Sequence, residues 1–300
     1  NEAGAISGVL KVSVVDADGD VVLDKSIELN LDSGIVQLFV EDLETKTLRG
    51  TYTVKTTFES ARDATIVTNE YAFDVFPAAE FVAPKQQVAI VEPAPTLKRF
   101  LTNQGIEVVP FNANTEPSVP VFVSNRTVKA PQLEKYSSQL EAFMNAGGTA
   151  VYLHAGGMKI SWGKLTQAAA PLPFNAHVRW FGDLWNGVPR LVRNHPVFDG
   201  LPVNCMMGAV YENVLPVSSM VDVPGKPIVG SIGFDWYPNY DLKLRHYYGP
   251  GDAWWGTDLG VVPIGKGRCV VSRLRLEQNV GKDPVADRIM LNMIRFAGSR

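Results

Sequence analysis

Two rhythms of apolar and polar positions divide this chain, and the change falls near residue 78. From residue 7 to residue 76 the alternation has period two. Val9-Leu10-Lys11-Val12-Ser13-Val14-Val15 opens it, and Asp16-Ala17-Asp18-Gly19-Asp20 supplies a turn with a glycine able to take positive φ. Segments at 21–23, 26–31, 35–40, 51–58, 65–67 and 71–76 keep the spacing. Six or seven short strands, roughly 8–12 residues apart and with no helical pattern among them, predict a small antiparallel sandwich over residues 1–78.

Pro77-Ala78-Ala79-Glu80 and Pro84 form a junction, and beyond it strands alternate with helices. Gln87-Val88-Ala89-Ile90-Val91 is a short apolar strand, and residues 96–103 form a helix with Leu97, Phe100 and Leu101 on one side. Residues 106–110 and 119–123 are two more strands. A longer helix runs from about Pro131 to Ala146, with Leu133, Tyr136, Leu140, Phe143 and Met144 at helical spacing and Gly147-Gly148 as its stop. Residues 161–173 read as a short helix and loop, 210–215 and 227–232 as strands, and 267–276 as the last strong strand. Asp283 caps a final helix with Pro284 in its first turn and Val285, Ile289, Met293 and Phe296 on one face. Such alternation predicts an α/β, doubly wound (flavodoxin-like) domain over residues 79–300, with a parallel sheet covered on both faces.

Thr149-Ala150-Val151-Tyr152-Leu153-His154 is the strand this second domain is organised around, and Ala155-Gly156-Gly157 turns directly after it. Ligands of open α/β sheets bind outside the carboxyl ends of such strands, and a tight turn there can thrust a nucleophile above the sheet. The position that would carry the nucleophile is Ala155. His154, Ala155 and Gly156 therefore read as a vestigial elbow, with His154 its best polar candidate and a hydrogen-bonded structural role as the alternative.

Composition narrows the function classes. The 46% hydrophobic and 20% charged residues are those of an ordinary globular protein, and a formal net charge of −3 gives no electrostatic case for nucleic acid or an anionic membrane. No apolar run approaches the roughly 20 residues of a membrane span. Asn1-Glu2-Ala3-Gly4 has neither a basic nor an apolar signal region and reads as a cut inside a longer chain. Cys205 and Cys269 read as small buried hydrophobes, with a disulfide between them left open. They are not the paired cysteines of antibody domains, so the first domain is immunoglobulin-like in architecture only.

The four histidines, at 154, 177, 195 and 246, show no metal-ligand spacing, and the glycine-rich turns make no phosphate loop, so neither a metal nor a cofactor is expected. The most unusual stretch is 234–255. Phe234, Trp236, Tyr237, Tyr240, Tyr247, Tyr248, Trp254 and Trp255 stand there among Asp235, Asn239, Asp241, Arg245, His246 and Asp252, punctuated by Pro and Gly. It reads as a long loop or irregular hairpin. Asp235, Trp236, Tyr237, His246, Trp254 and Trp255 are its candidate contact residues. Three readings stand: packing on the rest of the chain, burial against another domain or subunit, and stacking of sugar rings.

Asn194-His195-Pro196-Val197-Phe198-Asp199-Gly200-Leu201-Pro202 resembles a phrase of glutamine-amidotransferase-like domains, and 265–276 resembles their final strand. Residues 281–288 resemble the closing helix of such a domain at the end of glycoside hydrolase family 2 proteins, and 50–54 with 69–73 the immunoglobulin-like module before it. Active members carry a Gly-x-Cys-x-Gly elbow; the matching turn here is Leu153-His154-Ala155-Gly156-Gly157, with no thiol. Nor is there room for the (β/α)₈ barrel that holds the family 2 carboxylates. The resemblance implies a non-catalytic C-terminal accessory region of a β-galactosidase-like enzyme, serving domain packing, subunit association or active-site access. It implies as partners the catalytic domains of the same parent chain, with a homo-oligomer or a carbohydrate as further partners, and a periplasmic or secreted location. The alternatives are a carbohydrate-binding module using 234–255, and an amidotransferase-like hydrolase whose nucleophile, Cys205 or Ser161, reaches the Ala155 corner from elsewhere.

Overall fold

The computed structural model describes residues 5–32, 34–63, 65–76, 82–91, 93–124, 130–155, 157–161, 164–168, 172–180, 189–234, 240–241, 243, 246–247 and 253–299. They form two compact units, Asn1–Glu80 and Phe81–Arg300.

The first unit is one antiparallel sheet of four long strands, β1 (Ile6–Asp16), β2 (Val21–Leu31), β3 (Gly50–Ser60) and β4 (Ile66–Val75), in the order β2-β1-β3-β4. Alternation puts Leu10, Val12 and Val14 on one face, where they are buried. Leu10 lies opposite Ile27 and Phe58 in register, and Val14 opposite Leu23 and Val54. Tyr52 stacks on its cross-strand partner Phe73 with ring centroids 5.8 Å apart. The other face is mostly polar and carries the Lys11–Glu59 ion pair, with Val21 and Ile66 exposed at its ends. The expected six or seven strands are thus four among the described residues. Asp24-Lys25 carries the alternation from Leu23 to Ser26 without a Gly or Pro to break it, and Thr68-Asn69-Glu70 does the same in β4. Residues 35–40 form no strand, and Ile35 and Val40 are exposed.

The second unit is mixed α/β around a large sheet. Its parallel part is β5 (Val88–Val91), β6 (Val108–Pro110), β7 (Val121–Ser124), β8 (Thr149–Leu153) and β19 (Gly267–Ser272), laid out as β6-β5-β7-β8-β19. Helix α1 (Pro95–Asn103) connects β5 to β6, and α2 (Ala130–Asn145) connects β7 to β8. Leu140, Phe143 and Met144 of α2 share one core with Ala89, Val121, Val123, Ala150, Tyr152, Cys269 and Val271. The alternate residues Val88, Ile90, Phe122, Val151 and Val270 point the other way and are equally buried, so both faces of these strands are covered. Helix α2 ends where Gly147 takes φ 111°. The Gly148 amide donates to the Phe143 carbonyl at 3.0 Å and the Gly147 amide to the Met144 carbonyl at 2.9 Å, a paired C-cap. A Cβ at Gly148 would strike the Phe143 ring, so the sharp entry into β8 requires glycine twice.

The strand–helix rhythm predicts a parallel sheet, but the sheet is parallel only in part. Beyond β19 it continues antiparallel through β18 (Ala253–Ile264), β15 (Pro227–Phe234), β12 (Arg190–Val192) and β13 (Cys205–Met206). A side pair, β14 (Ser218–Val221) with β11 (His177–Trp180), joins at β18. Residues 161–168 are strand rather than helix: β9 (Gly157–Ser161) pairs antiparallel with β10 (Lys164–Ala168), because Met158, Ile160 and Leu165 alternate with polar residues at period two. Ala209–Val214 is a 3₁₀ helix rather than a strand, with Tyr211 and Val214, three apart, as its buried side.

Helix α4 (Pro284–Gly298) follows a short α3 (Leu276–Asn279). Asp283 caps α4 by accepting the Ala286 amide at 2.9 Å, and Val285, Ile289 and Met293 are buried. No helix among the described residues is long and apolar enough to cross a membrane.

Candidate functional site

The carboxyl edge of the parallel strands is where chemistry-bearing residues meet. Strand β8 is buried along its whole length, and His154 beyond it turns the chain with φ 55°, a conformation rare for a residue with a Cβ. The Ala155 amide donates to the Ser272 carbonyl at 2.8 Å, extending the ladder onto β19. Ala155 is fully buried. From β19's far end the Arg273 guanidinium comes back under this corner. It donates to the Ala155 carbonyl at 2.7 Å, to the His154 carbonyl at 3.4 Å, and to the Ser218 hydroxyl. The corner is therefore closed from beneath by a charged group that is only 2% exposed.

Beside it lies a pair the sequence reading does not single out. Ser124, the last residue of β7, is fully buried and donates its hydroxyl to Glu277 of α3 at 2.9 Å. Leu153, His154, Leu276 and Glu277 line a crevice too narrow to admit a water molecule. Ser124 ends an apolar run as His154 does, so the carboxyl-edge rule applied to β7 as well as β8 finds it. Serine, histidine and carboxylate are the residue types of nucleophilic catalysis, but here the hydroxyl proton points to the carboxylate and the oxygen is sealed from solvent.

Beneath the corner runs a buried polar network in the antiparallel part of the sheet. Asp258 of β18 is fully buried, and its carboxylate lies 3.3 Å from the Arg190 guanidinium of β12, a charge contact without hydrogen-bond alignment. Ser231 of β15 reaches Asp258 at 3.4 Å and Ser219 of β14 at 2.9 Å. The Arg273 amide donates to the Asp258 carbonyl at 2.7 Å. Burial raises the Asp258 carboxyl to about 6, against the pull of Ser219, Arg190, Ser231 and Arg273. Burial likewise lowers Arg273 to about 10, opposed by Asp258. Removing one partner of such a network leaves an uncompensated buried charge, at a cost of about 3–5 kcal/mol.

The other candidate residues are spread out. Asp235, Trp236, Tyr237 and Gly156 lie outside the described residues. His246 belongs to β17 (His246–Tyr247), which pairs antiparallel with β16 (Tyr240–Asp241), so a short hairpin lies within the aromatic stretch. Trp254 and Trp255 are neighbours on β18 and so face opposite sides. Trp254 is 8% exposed, packs where a Cβ at Gly233 would stand, and has the Arg179 guanidinium 5.5 Å over its ring. Trp255 is 75% exposed. The two rings form no common platform.

His195 is a cap. Its Nδ1 accepts the Val197 amide at 3.3 Å, starting the 3₁₀ turn Pro196–Phe198, and its ring meets Phe296 edge-on at 4.7 Å. Burial and the nearby Arg268 lower its pKa. Both cysteines are free, with Cys269 buried and its thiol pushed up by burial. Among the described residues no three His, Cys, Asp or Glu side chains converge at metal-binding distance.

No protein-family model matches this chain, and no curated protein does. Among solved structures it is similar to a cold-adapted β-galactosidase from Rahnella sp. R3, at 16% identity and a TM-score of 0.34, over 73% of this chain and 32% of that one. It is similar to a calcium-binding mutant of Bacteroides uniformis β-glucuronidase 2, at 12% identity and a TM-score of 0.23, over 51% of this chain and 20% of that one. A cytoplasmic protein of Salmonella typhimurium is similar at 8% identity and a TM-score of 0.34, over 82% of this chain and 95% of that one. This chain thus spans about a third and a fifth of the two enzymes. Scores this low fix neither its fold nor its activity.

Proposed function

We propose that this chain is an accessory region of a larger glycoside hydrolase, and that its second unit is a doubly wound domain of glutamine-amidotransferase type whose corner supports structure instead of chemistry. The observation that carries the reading is the contact of the Arg273 guanidinium with the Ala155 and His154 carbonyls. The turn that would present a nucleophile is tied down from below, and a methyl group occupies the nucleophile's place. The parallel order β6-β5-β7-β8-β19, second-first-third-fourth-fifth along the chain, supports the doubly wound reading. The phrase at 194–202 and the closing helix support the family. Its role in the parent would be packing, subunit association or access to the active site.

The native polypeptide tests this. An antibody against this chain should detect a product far above its own 32.8 kDa, with glycosidase peptides in its mass-spectrometric map. A native product of 32.8 kDa with hydrolytic activity of its own would overturn the proposal.

Trp255 favours a second reading. A large ring, 75% exposed at the edge of the aromatic stretch, is a platform on which a sugar can stack. Saturable oligosaccharide binding lost in Trp255→Ala would move the chain to the carbohydrate-binding class.

A further inference from the structure

The 194–202 phrase does more than cap a turn. It walls a hollow of about 350 Å³ against α4, within the second unit, at the lower end of the roughly 300–1,000 Å³ that small-molecule sites occupy. Its floor is fixed by Asn292, which is 4% exposed and fully engaged. The Asn292 amide donates to the Asp199 carbonyl at 2.9 Å and the Val197 carbonyl at 3.4 Å, and its oxygen accepts from Arg295 at 2.7 Å. Arg295 is held in turn by the Val82 carbonyl.

Around that floor stand groups whose hydrogen bonding is unspent. His195 uses Nδ1 as an acceptor, so its proton sits on Nε2 as a donor. Neither the Asp199 carboxylate nor the Asn194 side-chain amide has a hydrogen-bond partner among the described residues, and both side chains are exposed. The partly buried Phe296 ring, covered on one face by the Arg268 guanidinium 4.1 Å from its centroid, completes the wall. One carboxylate and one guanidinium leave the lining with no net charge, and it offers both donors and acceptors. An apolar ligand would strand those groups. A phosphate would meet the Asp199 carboxylate. A neutral polyol, with hydroxyls that both donate and accept and a C–H face for the ring, satisfies all of them.

We propose that this hollow binds a neutral monosaccharide unit. Asp199 and Asn194 would grip its hydroxyls, the His195 Nε2–H would donate to a third, and Phe296 would take its apolar face. The site lies in this chain's own second unit and is independent of whether the chain belongs to a larger glycosidase.

The test is a calorimetric or saturation-transfer NMR titration of the full 300-residue chain with galactose, glucose, mannose, glucuronic acid and inorganic phosphate. At least one neutral sugar should bind saturably with a Kd of about 1 mM, and phosphate should not bind. Asp199→Ala and Asn194→Ala, both at exposed side chains, should each weaken that binding at least about tenfold with an unchanged thermal midpoint. Absence of saturable binding by every sugar up to roughly 100 mM overturns the proposal. So does binding that survives both substitutions, which would place the sugar elsewhere, and so does a preference for phosphate or glucuronic acid.

Discussion

The two halves of the large sheet differ in what they bury between their apolar residues. The parallel half is apolar on both faces in mid-strand, with its buried Thr149, Ser124 and Ser272 at strand ends: Val88, Ala89 and Ile90 of β5 and Val121, Phe122 and Val123 of β7 are all fully buried. The antiparallel half buries Ser218, Ser219, Ser231, Asp258, Arg273 and most of Arg190 at a comparable depth. Both halves bury apolar side chains, among them Val229, Leu259 and Met220 of the antiparallel half, and that half adds a charged network whose members depend on one another. The two meet at the Ala155 corner, where Arg273, next after β19, joins the polar network to the Ala155 and His154 carbonyls. A corner that serves as a joint between two kinds of core is poorly suited to carry a mobile reactive group.

The largest effects should come from breaking the network at its centre. Asp258→Ala leaves Arg190 and Arg273 uncompensated and should cost about 3–5 kcal/mol. In a domain of this size that lowers the thermal midpoint by roughly 6–20 °C. Phe122→Ala, in the apolar half, should cost a similar 3–5 kcal/mol through a cavity. The halves are distinguished by the conservative variants: Phe122→Leu should recover most of the loss, whereas Asp258→Leu should not. Denaturant unfolding of the four variants measures this. Equal rescue by both would erase the distinction.

A pH series sharpens the contrast. The folded Asp258 carboxyl titrates near 6, above its ordinary value of 3.8, so the native state binds this proton more tightly than the unfolded chain. Its contribution is therefore greatest below about pH 4 and declines as pH rises through 6. The midpoint difference between wild type and Asp258→Asn should shift in the wild type's favour on acidification from pH 7 to 4. The lowered pKa of His195 acts in the opposite sense, and the difference between the two proteins cancels it.

Smaller effects lie at the margins. Asp283→Ala should cost about 1 kcal/mol by removing the α4 cap. On β18, Trp254→Ala should destabilise measurably, while Trp255→Ala should stay within about 0.5 kcal/mol.

The same contrast decides what the sequence made legible. The runs 88–91, 121–123 and 149–153 are continuously apolar and bounded by turn residues, so the parallel strands, α1, α2 and the capped α4 are readable from pattern alone. In the antiparallel half only β15, expected at 227–232, is. Ser218, Ser219, Ser231 and Asp258 look like surface positions until distant strands bring them together, and periodicity is blind to such pairing. In β2 and β4 the pattern misleads locally: a polar dipeptide or tripeptide reads as a break when it only continues the alternation. Residues 210–215 fell to the ambiguity of short apolar runs, which fit a strand or one turn of 3₁₀ helix equally well. His154 and Ala155 were found as a corner because turn chemistry is local. Their holder, Arg273, lies 118 residues from Ala155 and gave no local signal.

Amide hydrogen exchange at Ala155, in wild type and in Arg273→Ala, tests the central claim most directly. A corner that serves as a structural joint should protect this amide, bonded to Ser272, about as well as the core of β8, and Arg273→Ala should abolish most of that protection while leaving Val121–Val123 the less affected. A wild-type Ala155 amide that exchanges as freely as a surface loop would contradict it, because the corner would then be a mobile element open to chemistry.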